Sequence, residues 1–162
     1  MFIRSAIQRI QHLRWAALAA AFAAGLIYLL QAVQYARFLD SGLDEGNYLY
    51  KGLLFVRGIY APYQPYGPLT NKMPLAFLIP GIPQYLFEPG LRTGRGFAIV
   101  LALLLLLAVW IIARRFGGRW WAAGAVAALA LNPSMARLYS QAVSEGLVAA
   151  MSAWVLVLVL GA

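Results

Sequence analysis

The sequence predicts an all-α membrane protein with about four transmembrane helices. Of its 162 residues, 63% are hydrophobic and only 11% are charged, whereas about a quarter of the residues in soluble domains are charged. The apolar residues form long runs with arginines at their ends, a pattern typical of helices that cross a bilayer. The net charge of +8 is therefore explained by membrane topology. A nucleic-acid surface would need the basic residues in one stripe.

Several kinds of chemistry are excluded by residue type alone. The chain has no cysteine and a single histidine, His12, which excludes disulfides, zinc–thiolate sites, iron–sulfur clusters and histidine metal clusters. It also has no P-loop, dinucleotide fingerprint or nucleophilic serine elbow. Any chemistry must come from the few acids and from the basic residues near them.

The helices are assigned from apolar periodicity and from its interruptions. Residues 1–14 form a basic amphipathic helix on the cytoplasmic membrane surface, because their isoleucines recur at helical spacing. Transmembrane helices are predicted at 15–37, 95–113, 120–132 and 145–162. A tight turn at Gly117-Gly118 separates the second from the third, and a polar link from Ser134 to Glu145 precedes the fourth. The last run ends without a polar flank, so we expect a longer protein.

The predicted outer loop, residues 38–94, contains interfacial helices. Ser41 fits a helix N-cap, and Asp44 and Glu45 then lie in the first turn, where the helix dipole favours acids. The apolar face of this helix is expected to lie in the lipid interface and comprises Leu49, Leu53, Val56 and Tyr60. The segment 75–87 is apolar but contains Pro80, Gly81 and Pro83, so it is predicted to be broken and either re-entrant or interfacial.

Basic residues set the orientation, with the N-terminus in the cytoplasm. Arg114, Arg115 and Arg119 occupy a short loop without acids, which is expected to stay inside. All acids then lie on the outer face: Asp40, Asp44, Glu45, Glu88 and Glu145.

The candidate site consists of these outer acids and nearby cations. Adjacent carboxylates at a membrane are costly unless something uses them. Asp44 shares a helix stripe with Tyr48 and Lys51, and the alternative is that both acids only stabilise the helix start. Three cations lie around the 75–87 segment and favour a phosphate site: Lys72, Arg92 and Arg95. The alternatives are an arginine that reaches lipid headgroups and, for Glu145, a carboxylate at a helix N-terminus.

The order of the motifs resembles that of membrane glycosyltransferases of the GT-C type, family 39, the protein O-mannosyltransferase-like branch that includes the aminoarabinose transferases. The matching elements are D-E-G-x-Y at Asp44–Tyr48, G-x-x-x-P-Y at Gly58–Tyr63, K-x-P-L at Lys72–Leu75, Gly94-Arg95 and Glu145. Met73 stands where the family has a proline, and Glu145 stands where an aspartate is common. The likeness covers residues 15–162, which would be the N-terminal part of a longer polytopic fold.

The resemblance implies an inverting transfer of a sugar from a polyprenyl-phosphate donor to a lipid, glycan or protein acceptor on the outer face of a bacterial inner membrane. Asp44 would be the general base, with Glu45 as the competing candidate and Glu145 as a supporting acid. Lys72 and Arg95 would bind the donor phosphate. The resemblance does not decide whether a divalent metal takes part. Membrane lipids are expected partners, and nucleic acid is not. This fragment alone is expected to be inactive.

A non-enzymatic membrane module, such as a transporter subunit or a lipid-binding anchor protein, is the alternative. It accounts for the helices and the interrupted apolar segment equally well. It does not account for the Asp44-Glu45 pair followed by an aromatic, proline-rich loop.

Overall fold

The computed structural model describes residues 2–61 and 74–161, with side chains from residue 15 onward. Lys72 and the K-x-P-L element up to Met73 lie outside the described residues. Every regular element in the described part of the chain is an α-helix: α1 (Phe2–Phe38), α2 (Leu43–Val56), α3 (Pro74–Leu86), α4 (Leu91–Ala130), α5 (Pro133–Tyr139) and α6 (Ser144–Val159).

Two helices are long and apolar enough to cross a membrane. They are Trp15–Phe38 of α1 and the whole of α4. The pair α5 and α6, bent by 102° at its break, raises the number to three if it forms one span. The predicted all-α membrane class is therefore confirmed by helix length and apolar composition. On the same basis the number of spans is two or three. Alone, the 16 residues of α6 extend about 24 Å, short of a hydrocarbon core of about 30 Å.

The long helix α4 reverses direction at the predicted Gly117-Gly118 turn. Gly118 has φ 77° and ψ −170°, a left-handed backbone region open mainly to glycine. Ala102 and Ala130 belong to one core cluster with residues of α1. In a straight helix these two alanines would be about 42 Å apart, so the chain must turn back between them.

The segment that the sequence predicted as a polar link contains the short helix α5. Asn132 is its N-cap, and its side-chain Oδ1 accepts hydrogen bonds from the amides of Ser134 (3.0 Å) and Met135 (3.3 Å). Pro133 occupies the first turn, where its missing N–H is no loss. The Asn132-Pro133 pair at the end of the predicted helix 120–132 therefore also starts the next helix.

The prediction that α3 is broken is wrong. Pro74–Leu86 is one helix of 13 residues with Pro80 and Pro83 inside it. Proline removes a helical hydrogen bond, but α3 gains close packing on α2, where Gly52 meets the backbone of Gly81. This packing between helices offsets the hydrogen bonds lost at the prolines, and it cannot be predicted from the sequence of α3 alone.

The start and the apolar face of α2 also differ from the prediction. The N-cap is Gly42, not Ser41, and Glu45 rather than Asp44 reaches back to accept a hydrogen bond from the Gly42 amide (3.3 Å). Leu49 and Leu53 are buried within the protein, because α3 and the start of α4 cover the face predicted to contact lipid.

The described acids lie at one end of the helices, and a group of three arginines lies at the other. The end of α1 and the starts of α2 and α4 meet through Arg95, whose side chain bonds to Leu39 and Glu45. Gly118 lies 23 residues further along α4, about 35 Å away. We call the first end the acidic end, with Asp40, Asp44, Glu45, Glu88 and Glu145, and the second the basic end, with Arg114, Arg115 and Arg119.

Candidate functional site

The centre of the acidic end is a buried ion pair between Arg95 and Glu45. Arg95 Nη2 donates to Glu45 Oε2 at 2.7 Å, and Arg95 Nε donates to Glu45 Oε1 at 3.0 Å. The residues are 2% and 0% exposed. Two parallel, charge-assisted hydrogen bonds fix both the distance and the plane of the two groups.

The remaining N–H groups of Arg95 bind the end of α1. Nη1 donates to the carbonyl oxygens of Ala36 (2.9 Å) and Leu39 (2.8 Å), and Nη2 donates to that of Asp40 (3.2 Å). The last carbonyls of a helix have no partner within the helix and carry partial negative charge. The guanidinium therefore caps α1, and all five of its N–H groups are used.

The carboxylate of Glu45 accepts two further hydrogen bonds, both from backbone amides. Ala142, in the link before α6, donates to Oε1 at 2.8 Å, and Gly42 donates to Oε2 at 3.3 Å. Burial raises the pKa of Glu45, but the hydrogen bonds from Arg95 and Ala142, the Arg95 charge and the Gly42 amide outweigh it. The pKa of Glu45 is therefore below its ordinary value, and the ionised pair joins α1, α2, α4 and the link to α6.

Asp44 has the opposite environment to its neighbour. It is exposed on the first turn of α2, because adjacent helix positions point about 100° apart and Glu45 points inward. One turn later on the same stripe, the hydroxyls of Tyr48 and Ser144 share a hydrogen bond of 2.9 Å. The stripe of Asp44 therefore lies against the start of α6.

Glu145 is exposed beside this contact. Ser144 Oγ donates to Glu145 Oε2 at 3.3 Å, and the ring of Tyr48 stacks on Phe77 of α3 at 5.2 Å between centroids. Tyr48 is thus held from both sides. Asp44 and Glu145 are exposed, and Tyr48 and Ser144 between them are half-buried. We call these four residues the polar ridge.

The five predicted site residues divide into three groups. Asp44 and Glu145 lie on the polar ridge, accessible to a substrate. Glu45 and Arg95 are buried and fully bonded, which argues against a direct role as base or phosphate ligand in this conformation. Lys72 lies outside the described residues. Within residues 15–61 and 74–161, no three His, Asp or Glu side chains are grouped as metal ligands.

A second feature of the acidic end was missed at the sequence level. A cavity of about 730 Å³ lies between the end of α1 and the start of α4, and Arg37 and Arg92 line it together with Arg95. The sequence pattern predicted no role for Arg37. Its distance from Arg92 in the sequence hides the fact that both reach one cavity.

Comparison of the chain with protein-family models, with curated proteins and with solved structures found no match. The geometry of the acidic end and the order of its motifs are therefore the features that bear on function.

Proposed function

We propose that this chain functions as a membrane glycosyltransferase that moves a sugar from a polyprenyl-phosphate donor to a hydroxyl acceptor, with inversion, at the acidic end. One observation carries the proposal: Asp44 is an exposed carboxylate on a helix start that its neighbour Glu45 fixes in place. A general base needs an accessible carboxylate on a rigid backbone. The resemblance of the motifs to GT-C family 39 supplies the reaction class.

The geometry favours Asp44 over Glu45 as the base. All strong acceptor positions of Glu45 are occupied by Arg95, Ala142 and Gly42, so it has no access to a substrate proton. Glu45 and Arg95 then become positioning residues. Lys72 remains the proposed ligand of the donor phosphate, and Glu145 remains a supporting acid, next to Ser144 on the polar ridge.

The proposed step is a single in-line displacement. The Asp44 carboxylate accepts the proton of the acceptor hydroxyl while that oxygen attacks the anomeric carbon. The bond from this carbon to the phosphate oxygen breaks, and the polyprenyl phosphate leaves with the electron pair. A cation beside the leaving phosphate stabilises the charge that develops there.

We expect Asp44→Asn to lower the transfer rate by about a hundredfold or more, because it removes the base. Its effect on stability should stay within about 1 kcal/mol, since the side chain is exposed and asparagine also suits helix starts. The measurements are sugar transfer at saturating donor and the thermal unfolding midpoint.

Asp40→Asn is the matched control, because Asp40 is another exposed acid at the same end. It should transfer sugar at the normal rate. A folded, donor-binding Asp44→Asn protein that transfers sugar normally would remove Asp44 from the mechanism.

The non-enzymatic alternative, a lipid-binding membrane module, has one observation in its favour. Arg95 has no N–H group left for a phosphate, so one of the two predicted donor ligands is already engaged. A binding measurement with a polyprenyl-phosphate sugar distinguishes the two functions. Only the enzyme is expected to recognise the sugar as well as the lipid phosphate.

The proposed topology places the acidic end outside the cell and the basic end in the cytoplasm. The chain has no native cysteine, so single cysteines report without background. We expect Ser41→Cys, at the acidic end, to react with an impermeant maleimide in intact cells. Phe116→Cys, at the basic end and exposed, should react only after permeabilisation. The reverse pattern would invert the orientation.

A further inference from the structure

The cavity between α1 and α4 is polar at its mouth and apolar further in. Arg37 is near the end of α1, and Arg92 is the second residue of α4. Val33 lies one helical turn before Arg37, and Ile99 lies about two turns after Arg92, and both line the cavity. Its volume of about 730 Å³ falls in the range of small-molecule sites, roughly 300–1,000 Å³.

The two guanidiniums at the mouth carry uncompensated charge. In the part of the chain that the structure describes, neither Arg37 nor Arg92 has an ion-pair or hydrogen-bond partner, and the ion pair found there is Arg95–Glu45. Arg95 also lines the cavity, but Glu45 neutralises it. None of the described lining residues is acidic. The start of α4 adds the positive end of its helix dipole, so the mouth attracts an anion.

The mouth also lies at the level expected for lipid headgroups. Arg37 and Arg92 are one residue from the ends of the two apolar stretches, Trp15–Phe38 and Leu91–Ala130, that are long enough to cross a membrane. The walls below them run along these stretches towards the hydrocarbon. An anion with an attached apolar chain fits both parts, whereas a free phosphate would use only the mouth.

We propose that this cavity binds an anionic phospholipid, with its phosphate between Arg37 and Arg92 and the start of an acyl chain against Val33 and Ile99. Arginine suits this role because its planar group donates two parallel hydrogen bonds to phosphate oxygens. The site is separate from the polar ridge and does not depend on the proposed sugar transfer. It gives a role to two cations that positive-inside topology alone leaves on the outer side.

The test is lipid binding by the chain in a neutral detergent, measured by native mass spectrometry with phosphatidylglycerol and phosphatidylcholine of equal chain length. We expect the first phosphatidylglycerol to bind more tightly than phosphatidylcholine. Arg37→Gln and Arg92→Gln should each weaken it about fivefold, the effect of one basic residue near an anionic headgroup, and the double variant should lose the preference.

Arg57→Gln is the matched control, because Arg57 is exposed and does not line the cavity. It should leave the lipid preference unchanged. A second variant, Gly96→Leu, keeps both charges but places a side chain where a lining glycine now leaves open space. It should reduce phosphatidylglycerol binding by filling the cavity.

Four results would overturn the proposal. The first is equal binding of the two phospholipids, and the second is a preference that survives in the double variant. The third is displacement of phosphatidylglycerol by millimolar inorganic phosphate, which would mean that the site recognises the free ion. Tighter binding of a polyprenyl phosphate at the same arginines would also overturn it and reassign the cavity to the carrier. None of these outcomes alters the Asp44→Asn test, so the two proposals fail independently.

Discussion

Arg95→Met is expected to lower the free energy of unfolding by about 3–5 kcal/mol, the cost of leaving one charge of a buried pair without its partner. The variant would leave the Glu45 carboxylate inside the protein with only two amide donors, Ala142 and Gly42. It would also remove the cap on the carbonyls of Ala36 and Leu39. Thermal or detergent-induced unfolding monitored by circular dichroism measures the loss.

A double-mutant cycle separates the ion pair from the general loss of packing. Glu45→Met/Arg95→Met should be less destabilised than the sum of its single variants, because no charge is then left buried. Asp44→Asn, one residue away but exposed, should change stability by about 1 kcal/mol at most. Equal effects at Asp44 and Glu45 would contradict the buried-pair interpretation.

The pH dependence of stability provides a second readout of the same pair. Because the folded-state pKa of Glu45 lies below its ordinary value of 4.5, its contribution is complete above pH 4.5 and is lost as the pH falls through the folded-state pKa. Glu45→Gln should remove this part of the acid dependence. A profile that is identical in both proteins would exclude Glu45 as its source.

Gly81→Ala is expected to destabilise the protein by about 3 kcal/mol, at the upper end of the cost of inserting a methyl group into a packed core. A Cβ at position 81 would overlap the backbone of Gly52, and a Cβ at position 52 would overlap the Phe77 carbonyl. Backbone atoms of two packed helices cannot move aside as a flexible side chain can. The helices α2 and α3 would have to separate.

Gly46→Ala is the matched control for this substitution. Gly46 lies on α2, the helix against which Gly81 of α3 packs, but a Cβ there meets no atom within 4 Å. Alanine should therefore stabilise the helix by about 0.5–1 kcal/mol, since glycine is less favourable in a helix interior. If Gly81→Ala is as well tolerated as Gly46→Ala, the close approach of α2 and α3 is not present in solution. Unfolding of both variants under the same conditions decides this.

Predictions from the sequence were correct for features that depend only on neighbouring residues in the chain. Long apolar runs predict helices because every backbone polar group in a bilayer must be bonded within its own segment. The Gly117-Gly118 reversal follows from a backbone angle that glycine adopts readily. The rules failed at Pro80 and Pro83, where packing against another helix keeps α3 continuous. They also failed at the start of α2, where the N-cap lies one residue later than predicted.

The sequence by itself determined the membrane class, the helical content and the concentration of acids at a few chain positions. Only the tertiary structure decided what the adjacent acids do. Asp44 and Glu45 have the same charge and the same local context, yet one is exposed and the other is 0% exposed beside Arg95. The difference depends on partners 50 and 97 residues away, Arg95 and Ala142. Which carboxylate faces inward is set by these distant partners, because a buried charge is stable only where opposite charge and hydrogen-bond donors surround it.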